Sequence, residues 1–539
     1  MRKHVNIFLG LATALLLGGC ENNFDPQIYG NLMPGDFPST EKEYESYMMT
    51  CYLPFTTVWT YDMASAGLQH GWHIPAGGVI RMFDSTSDIN GRHAHAGDEW
   101  GRYPLGDFTN AQYYWRGTVS DANSLNHFPK TAQITRYTEI IDVLMKSNLN
   151  DAVKRGLVGE ARLCRGLMMY YLLHNFGPVR VVLDPTKILD SETLSNVARP
   201  TLDEMCGWIY DDFEYAVENT PETAKEQGRF TRDYARYCLM RHCLNEGDHM
   251  PGYYDRGLEM YSELNTGKYR LFDQGENPYA AQFLNANKFN CEVIAAISCN
   301  SDADGNPMHG NFNPFMMLAL PGDVAEQDPF PRGGGWLQAF SIDKTFYETF
   351  EASDLRRKTI VTSYVAKDGV TVTRNNFGVR WNGYIVNKWP QETATTFQGQ
   401  DIPLARWADV LLMYAELSAR KSKTVSQDAV NAVNLVRNRA GLAALTSEAT
   451  ASLESFLDAI LTERGHELMY EGCRKIDLIR FNVYAQKMYQ TKQTIPTSQY
   501  IPLPNYAVDQ AKASGIELEQ EWHREGWAED IAKANPSSI

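Results

Sequence analysis

Paired carboxylates, histidines and acidic loops are the side chains through which this sequence would do chemistry, and each such chemistry demands its own geometry. Asp98 and Glu99 stand beside Trp100, and two carboxyl groups roughly 5–9.5 Å apart across a sugar bond are the machinery of glycoside hydrolysis. Adjacent residues rarely face one another across such a gap, so hydrolysis is the disfavoured reading. His93 and His95 lie two apart with no third donor close by, and they read as solvated or polar-site residues rather than metal ligands. Asp302-Ala303-Asp304-Gly305-Asn306 opens like a calcium loop, but its twelfth position is Asn313 rather than Glu, so a surface turn is expected. P-loop, dinucleotide, zinc-protease and nucleophile-elbow motifs are absent from the sequence, which leaves those chemistries without their entry motif. No catalytic residue, cofactor or metal is assigned.

Aromatic side chains give the stronger signal. Two stretches, about 53–129 and 271–399, lose helical periodicity and are rich in Gly, Asn, Asp and aromatic residues. Long irregular segments inside a compact chain usually carry function. The first holds Trp72, His73, Trp100 and Tyr103, and the second holds Arg332, Gly333-Gly334-Gly335-Trp336, Trp381 and Trp389. A pyranose offers apolar C–H faces that stack on such rings, while its hydroxyls need polar partners around the rim. Three glycines before Trp336 free the backbone to present that ring. The candidate ligand-binding set is Trp72, His73, Trp100, Tyr103, Arg332 and Trp336, with core packing as the competing expectation for each large ring.

Helices must position these inserts. Thr40 and Glu43 form a capping box for a helix running towards Cys51. Leu157, Ala161, Cys164 and Met168 repeat at helical spacing up to the Gly177-Pro178 stop. Thr201 and Glu204 form a second capping box, and Thr231 starts a further helix. Asp401–Arg420 and the segment from Ser426 to Gly441 read as a helix hairpin of near-tetratricopeptide length. Short β-like runs occur at Glu292–Ser298 and Thr359–Val365. In Glu463–Arg480, Glu463, Glu467 and Glu471 recur four apart on one helical face. Arg464, Arg474 and Arg480 are expected to pair with such carboxylates in a partly buried network that docks the last helices.

A chain of 539 residues with 43% hydrophobic residues buries a large core. Its net charge of −16 argues against nucleic acid or anionic lipid as a partner. The nine cysteines include no C-x-x-C pair. They read as small core residues, with Cys291 and Cys299 the candidate for an occasional bridge. Met1-Arg2-Lys3-His4 and the apolar run Val5–Leu17 form a secretory signal over 1–19. Leu17-Gly18-Gly19-Cys20 resembles a lipobox, which makes Cys20 the lipidated anchor and 20–39 a tether.

Several of these stretches resemble the signatures of the SusD/RagB family of outer-membrane nutrient-binding lipoproteins. They are Glu463-Arg464, Glu467-Leu468, Glu471-Gly472, Arg474 and Asp477-Leu478 with Arg480; Glu160-Ala161-Arg162 with Arg165; Asp354-Leu355-Arg356; Pro403–Glu416; Asn434–Leu442; and Ile501-Pro502-Leu503-Pro504. Lys475 stands where the family usually has an aromatic, and Gly166 where it usually has alanine. The resemblance implies a mainly α fold, a tetratricopeptide-like helix-hairpin scaffold (about 40–52, 130–270 and 400–539) with a loop-rich inserted ligand lobe, all in one domain over 40–539. It implies an outward-facing outer-membrane lipoprotein that captures a glycan and sits as a lid on a TonB-dependent β-barrel transporter of the SusC type. Peptide cargo, a protein-binding repeat scaffold and a glycoside hydrolase are the alternatives.

Overall fold

The computed structural model describes residues 37–57, 71–73, 78–92, 99–108, 127–301, 312–336, 338–373, 375–376, 382–396 and 398–534, without the side chains of 99, 100 and 195. Cys20, Trp59, His93, His95, Asp98, Asp302–Asn306 and Trp381 lie outside them. The chain divides into two units, Met1–Tyr47 and Met48–Ile539. Where the first unit is described, Thr40 Oγ1 accepts from the Glu43 N–H at 3.3 Å and Glu43 Oε2 accepts from the Thr40 N–H at 2.9 Å. This is the expected capping box at the head of α1 (Glu41–Met49).

The second unit is a row of helices. α2 (Lys130–Lys146), α3 (Asp151–Phe176), α4 (Leu202–Asn219), α5 (Arg232–Glu246) and α6 (Tyr253–Leu264) pack each against the next. The row continues from α6 directly to α7 (Trp407–Ser422) and then α8 (Gln427–Arg439), although residues 265–406 intervene in sequence. α9 (Leu453–Glu467), α10 (Arg474–Arg480), α11 (Tyr484–Lys492), α12 (Asn505–Ala513) and α13 (Trp527–Ala534) complete it. Thr201 caps α4 with its box, and Thr231 and Ser426 cap α5 and α8, as their sequence positions demand.

α3 is buried along nearly all of its length from Gly156 onward, and two glycines fit it there. A Cβ on Gly166 would lie 2.8 Å from the Phe213 ring of α4, so that ring occupies the space a larger residue would need. Gly177 ends the helix at φ +75, with Trp522 against its backbone. The Glu160 and Arg165 signature positions are ion-paired inside the row. Arg165 grips Asp212 through two bonds of 2.7 and 2.8 Å, and Glu160 accepts from Tyr52 Oη and Arg229.

Between α6 and α7 the chain forms the irregular lobe, whose sheets are all two-stranded among the described residues. β1 (Val293–Ile297) pairs antiparallel with β6 (Ile402–Arg406), β2 (Ile360–Val361) with β5 (Ile385–Val386), and β3 (Ser363–Val365) with β4 (Thr371–Thr373). Both β-like runs are therefore strands. The helix expected over Asp401–Arg420 begins only at Trp407, because Ile402–Arg406 is claimed as the partner of β1. Cys291 and Cys299 are free thiols. They flank opposite ends of β1, and an extended strand, rising about 3.3 Å per residue, holds them apart.

Glu463–Arg480 is two helices rather than one. α9 stops at Glu467, Tyr470 and Gly472 take positive φ of 59 and 81, and α10 starts at Arg474. The second start is built by Asp84, on the π-helical turn Ile80–Ser85, whose carboxylate accepts from the backbone N–H of Gly472, Cys473 and Arg474 at 2.6–3.1 Å. Such N-terminal donors are otherwise orphaned. The ion-pair network exists and is larger than the helices alone foretell. Arg406 reaches Glu292 at 2.6 Å, Glu467 at 3.0 Å and Glu471 at 2.6 Å, and Arg439 bridges Glu292 and Glu467. Arg356 joins Asp354, Glu463 and Glu467, Arg437 joins Glu463, and Lys388 joins Glu471. With Glu351, which Arg437 also meets at 2.8 Å, six carboxylates meet five cations, and Glu292, Glu351, Asp354, Arg356, Lys388 and Arg406 come from the stretch between α6 and α7. The arginines expected to pair with these glutamates go elsewhere: Arg464 to Asp409 and Asp477, Arg474 to Asp88, and Arg480 to Glu416.

Candidate ligand-binding surface

Three of the six candidate residues are core. Trp72 is 0% exposed; its ring stacks on His127 at 4.0 Å and 8°, and its Nε1–H donates to Met168 Sδ of α3 at 3.1 Å. His73 is buried among Phe55 and Tyr171, and burial pulls its pKa down to about 3, leaving a neutral ring. Tyr103 is buried against Phe108 with the Arg81 guanidinium 4.6 Å from its ring centre. All three are withdrawn from the ligand-binding set. A large ring whose N–H is satisfied inside the protein contributes most by staying dry. Trp100 sits on the short helix Glu99–Arg102, and its side chain is outside the described residues. Trp389 is buried against Phe283 and Phe315.

Trp336 is the opposite case, at 60% exposed, and no other described tryptophan is exposed to that degree. The three glycines before it do more than loosen the chain. Added Cβ atoms would lie 2.9 Å from Val324 O at Gly333, 2.5 Å from Gly322 O at Gly334 and 2.6 Å from Met317 O at Gly335. The segment is laid flush on the backbone of 317–325, which only glycine permits. Hydrogen bonds fix it there: Gly334 N–H to Val324 O at 2.8 Å and Trp336 N–H to Met317 O at 2.8 Å. Arg332 closes the ledge. Its Nη1–H donates to Gly334 O at 3.0 Å, its backbone N–H donates to Gln391 Oε1 at 3.2 Å, and Gln391 Nε2–H donates to Gly333 O at 3.2 Å.

Arg332 is therefore a brace for the ledge under Trp336. Gln391, which completes that brace, lies far along the chain and carries no sequence signal. Nearby, Asp323 accepts from Tyr364 Oη at 2.8 Å and Lys367 Nζ donates to Gly322 O at 2.8 Å, placing polar groups along the same backbone shelf. A rigidly mounted, solvent-facing indole beside polar groups is suited to stacking on a flat apolar face with hydroxyls at its edge.

The architecture and signatures agree with known proteins. A SusD family model matches residues 327–514. A SusD superfamily protein from Parabacteroides distasonis superposes with TM-score 0.67 at 19% identity, covering 90% of this chain and 100% of that one. Surface glycan-binding protein A from Bacteroides thetaiotaomicron, solved with laminarihexaose, gives TM-score 0.67 at 18% identity over 90% of this chain and 100% of that one. A SusD-like protein of Bacteroides ovatus is 28% identical over 139 residues, a match spanning 25% of this chain and 24% of that relative. The fold is that of the SusD superfamily. Residues 327–514 thus match the SusD family model, and the architecture is similar to that of SusD superfamily structures over nine-tenths of the chain.

Proposed function

We propose that this chain is a cell-surface lipoprotein, anchored through Cys20 in the outer membrane, that captures a glycan and passes it to a TonB-dependent transporter of the SusC type. Binding rather than turnover is its work, and Trp336 is the centre of the binding surface, held by Arg332 and Gln391. The observation that carries the reading is the exposed indole on its glycine-backed ledge. Solved relatives of the same fold include a laminarin-binding SusD-like protein and the glycan-binding protein holding laminarihexaose, which favours an oligosaccharide or polysaccharide as cargo.

The chain from Glu21 onward is run through native gels cast with a panel of polysaccharides, beside Trp336→Ala. Retardation by at least one polysaccharide is expected, reduced at least about tenfold in affinity by the substitution, since stacking on a ring costs on the order of 1–3 kcal/mol to remove. No retardation on any gel overturns free-standing glycan capture and turns to peptide cargo. Retardation unaffected by Trp336→Ala keeps the glycan and removes this site.

A further inference from the structure

At the far end of α5, on the scaffold rather than the lobe, a thiol, a carboxylate and an imidazole converge. Cys206 Sγ of α4, a Glu246 carboxylate oxygen and a ring nitrogen of His249 all lie within 4.8 Å of one another. Sulfur, oxygen and nitrogen donors at that spacing form the mixed set that zinc-class ions take in tetrahedral sites. We propose that Cys206, Glu246 and His249 hold a zinc-class transition-metal ion.

Two independent features point to a ligand there. His249 is held between two carboxylates, with Asp203 Oδ1 3.0 Å from its Nδ1 and Glu246 Oε2 2.8 Å from its Nε2. An ion entering beside Glu246 would displace any proton on Nε2, while Asp203 keeps the one on Nδ1 and fixes the tautomer. The second is His174 on α3, whose buried Nε2 has no hydrogen-bond partner and lies 3.8 Å from Glu246 Oε1. An unsatisfied buried polar nitrogen is costly, and water on an ion held by Glu246 would give it a partner.

Arg524 holds Glu246 from the other side at 2.8 and 2.9 Å. A carboxylate offers about four lone-pair directions. Arg524 takes two of them, and the ion would take the place now used by His249 and the Cys206 thiol. Charge also closes: a dication balances the Cys206 thiolate and Glu246, and Arg524 balances Asp203. On binding, the Cys206 S–H proton leaves to solvent and a metal–sulfur bond replaces it. The three protein donors would tie α4 to the end of α5 and leave the fourth position to water.

The full-length chain, purified in detergent without an affinity tag and stripped of metal, is titrated with Co²⁺. The expected result is one equivalent bound, with a thiolate-to-cobalt charge-transfer band and intense tetrahedral d–d bands, displaced by Zn²⁺. Cys206→Ser removes the charge-transfer band. His249→Gln and Asp203→Asn, both at the solvent edge, keep the native near-UV dichroism but weaken binding, the latter by about 10–100-fold. No charge-transfer band, or a band and affinity unchanged in Cys206→Ser and His249→Gln, overturns the proposal.

Discussion

Glu467→Gln destabilises the protein by about 3–5 kcal/mol, as read by denaturant unfolding with an unchanged slope. Glutamine keeps the shape of the side chain and removes only its charge. Glu467 is fully buried and meets Arg356 at 3.3 Å, Arg406 at 3.0 Å and Arg439. Neutralising it takes one carboxylate from the buried Arg356, Arg406 and Arg439 together, and an uncompensated buried charge costs far more than the intact pair contributes. Replacing Arg439 by Met in the same chain recovers part of the loss, because the surplus charge leaves with it. A stability change within about 0.5 kcal/mol in the single variant defeats this account of the network.

The same groups set an acid limit. Burial alone raises the pKa of Asp477, but Arg464 and Arg480 outweigh it and hold the carboxyl at about 2, against an ordinary 3.8. For Glu467 burial is likewise outweighed by Arg439, Arg406 and Arg356, and its pKa lies well below the usual carboxylate range. Depressed carboxylates stabilise the fold fully above their unfolded pKa, and the contribution is lost as pH falls through the folded one. Unfolding free energy is therefore expected to drop steeply between about pH 4 and pH 2, and a flat profile there excludes the linkage.

Trp72→Ala costs about 3–5 kcal/mol and gives a chain that unfolds at markedly lower temperature, whereas Trp336→Ala changes stability by no more than about 0.5 kcal/mol. The two residues are the same type in comparable sequence surroundings. Trp72 fills space between His127 and α3, and its loss leaves a cavity together with an unpartnered Met168 sulfur. Trp336 lies mostly in water. Paired thermal melts of the two variants separate packing from display, and equal melting temperatures contradict the assignment.

That pair also shows where sequence reasoning stops. Helices, caps and the Gly177 stop were legible because they depend on neighbours within a turn or two. Whether an indole in a loop is packed or presented depends on what folds over it, and Met168 lies 96 residues from Trp72. The acidic spacing of Glu463, Glu467 and Glu471 announced a network, but not the break at Tyr470, which Asp84 enforces from 388 residues away. Strand β6 was hidden for a similar reason: Ile402–Arg406 has helical neighbours and takes its conformation from β1. The ledge under Trp336 was half visible, since the glycine run is local and the Gln391 brace is not.

α6 and α7 are neighbours in space although the whole lobe lies between them in sequence. A segment whose two ends leave and re-enter a continuous helix row can be exchanged for another without interrupting that row. The scaffold would thus serve as a chassis on which different cargo surfaces are mounted. Such an exchange must still carry Glu292, Arg356 and Lys388, because these lobe charges complete the buried network below. A lobe lacking them would take one carboxylate from Arg439 and one cation each from Glu463, Glu467 and Glu471, so recognition is free to diverge only above that electrostatic floor.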